Sequence, residues 1–128
     1  MSLRSPLGRV LGLGSAGSGH EHWWNQRLTA IGLACLGPWL VASLVGLGSA
    51  DYYAVSGWAA QPWHAILLIL LLLTLLLHSN LGLQVVIEDY VHDGSSRVAA
   101  LILVRFVHII LAVAGIYAVA MISLGARA

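Results

Sequence analysis

Three stretches dominated by Leu, Ile, Val, Ala and Gly run along this chain, at about residues 28–47, 64–87 and 98–124, with short polar intervals between them. Each is long enough to cross the hydrocarbon core of a bilayer as a helix. Lipid offers no partner to a free backbone amide, so spans of this kind read as helices. The pattern predicts an all-α integral membrane fold with three transmembrane helices. Residues 1–26 form a short N-terminal surface segment ahead of a membrane body at 27–125.

The boundaries carry their own signals. Trp23 and Trp24 stand at the entry to the first span as interfacial anchors, and Arg27 falls where the chain meets the headgroups. Pro38 lies inside that span, removes a backbone donor and predicts a kink. Gly46 to Asp51 ends it, and Tyr52, Tyr53, Trp58 and Trp63 crowd a short loop closed by Pro62 at the opposite interface. The second span has a leucine-rich core from Ile66 to Leu77, broken only by Thr74. The connection from Glu88 to Arg97 holds a turn signal at Asp93-Gly94-Ser95-Ser96, where Ser95 or Ser96 is expected to cap the third helix. Gly32 with Gly37, and Ala114 with Ala118, offer close helix approach, although an alanine-rich membrane helix explains them equally.

Composition narrows the class further. Of 128 residues, 59% are hydrophobic and 9% charged, with mean hydropathy +0.89, which leaves too little polar surface for a water-soluble domain. The net charge is +1, there is no lysine, and the six arginines are dispersed, so nucleic acid and acidic substrates are not expected partners. Cys35, the single cysteine, lies in the first span and reads as a packing residue. Val10 to Gly14 is too short and glycine-rich for the core of a cleaved signal, and Gly14 to Gly19 reads as a flexible connector. Arg4, Arg9 and Arg27 precede the first span and Arg97 lies in the second connection, while residues 48–62 have no basic side chain. The N-terminus is therefore expected on the cytoplasmic or matrix side, with Arg127 a minor contrary signal.

The candidate chemistry sits in the second and third spans. His78 places an imidazole in nearly pure hydrocarbon, at a cost of roughly 2.5 kcal/mol or more unless a partner, metal or cofactor compensates it. Heme iron is one such compensation. At about 100° per residue, Gly82, Val85 and Asp89 fall within about 40° of His78, and the imidazole lies roughly 16 Å below Asp89, close to mid-membrane. Gly82 leaves room for a flat macrocycle or for a neighbouring helix. In the third span His108 lies at comparable depth, with Arg105 nearer the surface. Arg27, His78, Arg105, His108, Asp89 and Tyr90 thus gather in one half of the membrane, a set able to neutralise propionates and bond a quinone ring.

The run His78-x3-Gly82-x-Gln84-x4-Asp89-Tyr90, at the end of the second of three spans, resembles the D-type membrane-anchor subunits of succinate dehydrogenase, or complex II. Trp23-Trp24-Asn25-Gln26-Arg27-Leu28-Thr29-Ala30 is similar to the entry of their first helix. The resemblance covers about residues 20–124. It implies a non-catalytic subunit of succinate:quinone oxidoreductase, half of a heme-binding bundle in the bacterial inner membrane or mitochondrial inner membrane. It further implies that His78 is an axial ligand of heme b, whose other ligand comes from a C-type cytochrome b anchor subunit. Tyr90 then bonds ubiquinone, Asp89 neighbours that site, and Arg27 lies near the propionates and quinone. FAD and iron–sulfur clusters reside in the flavoprotein and iron–sulfur partner subunits.

Other readings stay open. His78 can be satisfied by a helix–helix hydrogen bond, and Tyr90 and Asp89 can be an interfacial tyrosine and a solvated acid. His108 can be a second ligand, a propionate partner or a structural hydrogen-bonder, with Arg105 also near a heme. A stand-alone di-histidine b-type cytochrome using His78 and His108 is the alternative function. His64 reads as a wetted interfacial residue, and His20, His22 and His92 as solvated.

Overall fold

The computed structural model describes residues 16–125, which form four helices: α1 (Ala16–Gly46), α2 (Tyr52–Ala59), α3 (Pro62–Tyr90) and α4 (Gly94–Gly125). Three of them, α1 from His20 onward, α3 and α4, are long and apolar enough to cross a membrane. At 29 to 32 residues each, they reach about 45 Å, so their polar ends project past a hydrocarbon core about 30 Å thick. All three expected spans are present. Residues 1–15 and 126–128, with Arg4, Arg9, Arg127 and the start of the connector, lie outside the described residues.

One expectation about the first helix is corrected. Ala16 to Gly19, read as flexible connector, is helical and continuous with the first span. Once a helix is nucleated each further residue adds a hydrogen bond, which offsets the roughly 1 kcal/mol propensity cost of a glycine. α1 also runs through Pro38 as one helix.

The interval between α1 and α3 is not a bare loop. Gly48, at φ +68°, turns the chain out of α1 in a conformation that suits glycine. Asp51 then caps α2: its carboxylate accepts from the Ala54 amide at 2.8 Å and from the Ser49 hydroxyl at 2.6 Å. The Ser49 bond first and the Ala54 bond second hold the Asp51 carboxyl below its ordinary range. α3 begins with proline at its first turn, where a missing amide hydrogen costs nothing. α4 is capped by Asp93, whose carboxylate accepts from the Ser96 amide at 2.7 Å. Ser95 and Ser96 are first-turn residues, because Asp93, the residue just before the helix, already occupies the capping position.

α3 is the spine of the fold, packed against α1 on one flank and α4 on another, with α2 against the ends of α3 and α4. The buried hydrophobic residues among those described are Trp58, Ala59 and Ala65, all where α2 meets α3. Trp58 forms a triangle of rings with Trp39 of α1, at 5.9 Å between centroids, and His64 of α3, at 4.7 Å, and Trp39 and His64 are themselves 6.1 Å apart. His64 is therefore not a free interfacial residue: its Nδ1 also bonds the Trp58 carbonyl at 2.9 Å.

Small residues set the helix spacing, though only partly at the expected places. A Cβ on Gly32 would stand 2.9 Å from Thr74 Cγ2, whereas one on Gly37 would meet nothing within 4 Å. On α4 it is Gly115 that closes on Leu72. Ala114 and Ala118 are exposed, because the inner stripe of α4 runs through Val104, His108, Ala112, Gly115 and Val119 at helical spacing.

Candidate functional site

His78 stands half-buried on the flank of α3 that meets α1. Its Nδ1 lies 3.0 Å from Thr29 Oγ1, and its Nε2 lies 3.5 Å from the side-chain nitrogen of Gln26. Gln26 and Thr29 are three residues apart and share one face of α1. His22, one turn earlier on that face, is half-buried rather than solvated, and its Nε2 is buried without a partner among the described residues. Gln26 Oε1 is likewise buried and unpartnered. Unpaired buried polar atoms are costly, and here two of them lie one turn apart beside a histidine.

Gly82 faces the same group. A Cβ placed there would meet only the Gln26 amide, at 3.7 Å. Above it α1 and α3 separate into a cleft of about 720 Å³, lined by His22, Trp23, Gln26, Gly82, Gln84, Val85 and Glu88. Arg27 does not turn toward His78 within this chain, since its guanidinium lies over the Trp23 ring, 5.2 Å from the centroid. Asp89 and Tyr90 are exposed at the end of α3, Tyr90 at 78%. About 18 Å of helical rise separates Tyr90 from His78. The two serve separate depths of one helix.

His108 is placed differently. Its Nδ1 lies 2.7 Å from the Val104 carbonyl and its Nε2 lies 3.1 Å from Ser79 Oγ. Both ring nitrogens are thereby occupied inside the chain. With Arg105, Asn25 and Asn80 it lines a second cleft, of about 550 Å³, to which His78 does not contribute. The six residues gathered by depth are thus divided among Arg27 over Trp23 on α1, a histidine on α3 facing α1, a pair at the end of α3 and a pair on α4.

The donor set at His78 fits a heme iron. Among the described residues no three His, Cys, Asp or Glu side chains come together as a conventional metal site, but a heme asks for only one nitrogen from each side of its plane. His78 Nε2 offers that nitrogen: its one neighbour is an amide at the outer limit of hydrogen bonding, and the adjoining turn of α3 has no side chain at Gly82. Sequence reasoning named His78 and Gly82 and missed the roles of Gln26, Thr29 and His22. The available signal was their i, i+4, i+7 spacing, which puts three polar side chains on one face of an otherwise apolar helix.

Residues 1–114 match the family model described as succinate dehydrogenase/fumarate reductase transmembrane subunit. The chain is 35% identical over 116 residues to the succinate dehydrogenase hydrophobic membrane anchor subunit of Rickettsia bellii (strain RML369-C), covering 91% of this chain and 93% of that one. Its identity to the subunit of the same name from Paracoccus denitrificans is 32% over 125 residues, 95% of this chain and 94% of the other. With the succinate dehydrogenase membrane anchor subunit of Reclinomonas americana it is 33% over 95 residues, 72% and 79%. No solved structure matches the chain.

Proposed function

The chain belongs to the succinate dehydrogenase/fumarate reductase transmembrane subunit family, and we propose that it anchors a succinate dehydrogenase to its membrane and helps to build a heme b and a ubiquinone site there. The observation that carries the cofactor reading is His78: an imidazole in the apolar body of α3, held from α1 and left with one ring nitrogen nearly free.

Succinate oxidation belongs, on this reading, to a flavoprotein with FAD, and an iron–sulfur subunit delivers the electrons to the quinone. This chain contributes positions. His78 would supply a ring nitrogen to the heme iron, and a C-type anchor subunit would supply a second ligand. When bound, the heme supplies a one-electron store within the bilayer. Tyr90 donates its hydroxyl to a quinone carbonyl oxygen and stabilises the negative charge that develops there on reduction. Asp89, exposed at the water boundary beside it, passes protons to the same place. Arg27, whose guanidinium lies over Trp23 in this chain, is the cation this reading assigns to the vicinity of the propionates and quinone. The setting is a bacterial or mitochondrial inner membrane, with the N-terminus on the cytoplasmic or matrix side.

A stand-alone cytochrome ligated by His78 and His108 finds less support. To ligate through Nε2, His108 would have to give up its Ser79 contact, which together with the Val104 contact at Nδ1 satisfies its ring within the chain. Purification of the tagged chain in mild detergent tests the proposal. A flavoprotein, an iron–sulfur protein and a second small membrane subunit are expected to accompany it, with a b-type absorbance. A colourless chain that purifies alone would overturn both parts.

A further inference from the structure

Resting on the reading that His78 ligates a heme, we propose that Thr29 is a positioning residue: it fixes the tautomer of His78 so that Nε2 carries the lone pair. The Thr29 hydroxyl lies 2.8 Å from the Asn25 carbonyl oxygen and 3.1 Å from that of Gln26. Two oxygens at 2.8 Å need a proton between them, and a hydroxyl has one. Thr29 therefore donates back along its own helix, a usual habit of threonine within helices. What it turns toward His78 is a lone pair.

At 3.0 Å from that lone pair, Nδ1 must be the nitrogen that bears hydrogen. A neutral imidazole has only one N–H, so Nε2 is left as an acceptor. The other side of the ring agrees: Nε2 faces the amide nitrogen of Gln26, a donor, while Gln26 Oε1 is left buried without a partner.

A metal-bound histidine gains basicity and a fixed ring plane when its second nitrogen donates to a partner. Thr29 is well suited to be that partner, because its backbone bonds tether the hydroxyl to α1. It reaches the iron only through His78. Its loss should therefore weaken heme retention and, by making Nε2 less basic, favour the reduced iron. Serine preserves the hydroxyl and should preserve both properties.

The test uses the assembled complex with Thr29→Val, Thr29→Ser and His78→Ala, reading heme per complex, the heme midpoint potential and its low-spin electron paramagnetic resonance. Thr29→Val is expected to lower heme affinity by about tenfold or more, to move the midpoint to more positive potential and to alter the resonance. Thr29→Ser is expected to restore all three. If His78→Ala loses the heme while Thr29→Val keeps wild-type retention, midpoint and resonance, the role of Thr29 is refuted and the ligand reading survives. A His78→Ala complex with an unaltered heme refutes both. Thr29→Ala carries the same expectation and the same refutation should the valine variant not assemble.

Discussion

Gly115 of α4 packs so closely on Leu72 of α3 that a methyl group at position 115 would overlap the branch of the leucine. α4 contributes no side chain there and seats directly on the leucine, and shape rather than hydrophobicity decides such contacts in lipid.

Gly115→Val is accordingly expected to destabilise the helix pair by about 1–3 kcal/mol, the usual range for overpacking. Because the opposing atoms are the far end of a flexible side chain, Leu72→Ala should recover much of the loss. A double-mutant cycle followed by denaturation in detergent checks this. Additive losses would show that the two residues do not meet.

His108→Ala should leave the b-type absorbance at its wild-type level, whereas His78→Ala should abolish it. The imidazole of His108 is occupied by the Val104 carbonyl and the Ser79 hydroxyl, so its loss is one of helix packing. An interhelical hydrogen bond of this type is worth about 0.6 kcal/mol. Difference spectra of the two complexes decide the matter, and equal losses would favour both ligands in one chain.

Tyr90→Phe removes a hydroxyl that makes no hydrogen bond among the described residues and stands on a residue 78% exposed. Folding should be unaffected. Succinate-dependent quinone reduction is expected to fall by about 10²-fold or more, as for loss of one donor to a developing oxyanion, while reduction of an artificial dye by succinate persists. Unchanged quinone kinetics would remove Tyr90 from the site.

The Asp93 cap makes stability depend on acid. Its bonds, chiefly to the Ser96 amide, hold the carboxyl below the ordinary aspartate range. A lowered folded pKa means that the contribution is complete above the unfolded value and is lost as pH falls through the folded one. Asp93→Ala should thus lower the melting temperature at neutral pH and converge with wild type in strong acid. Asp93→Asn, which caps without a charge, should flatten the difference. Melting curves at the two extremes read both effects.

The spans were legible because lipid imposes one rule on every backbone group, and an apolar run of the right length has few other outcomes. The ends were less so. α2 depended on whether Asp51 would cap, and a run of tyrosine and tryptophan signals an interface as readily as it signals a helix. Ala114 and Ala118 looked like packing residues by type, yet the inner face of α4 is set by rotation, and Gly115 lies about 100° from its neighbour. At the candidate site, His78 was conspicuous as an ionisable group in hydrocarbon. Thr29 was not, since a threonine bonded to its own helix resembles any other until the opposing side chain is known.

His78 bonds to α1 and Ser79, the next residue, bonds to α4. Consecutive positions on a helix point about 100° apart, so these two act as opposed pins through a single shaft. Sliding α3 along its length would strain both equally, but twisting it either way would pull one free before the other. The pair therefore encodes an azimuth, and a single insertion or deletion between Leu72 and His78 would swing the imidazole off α1 while changing its depth by only about 1.5 Å.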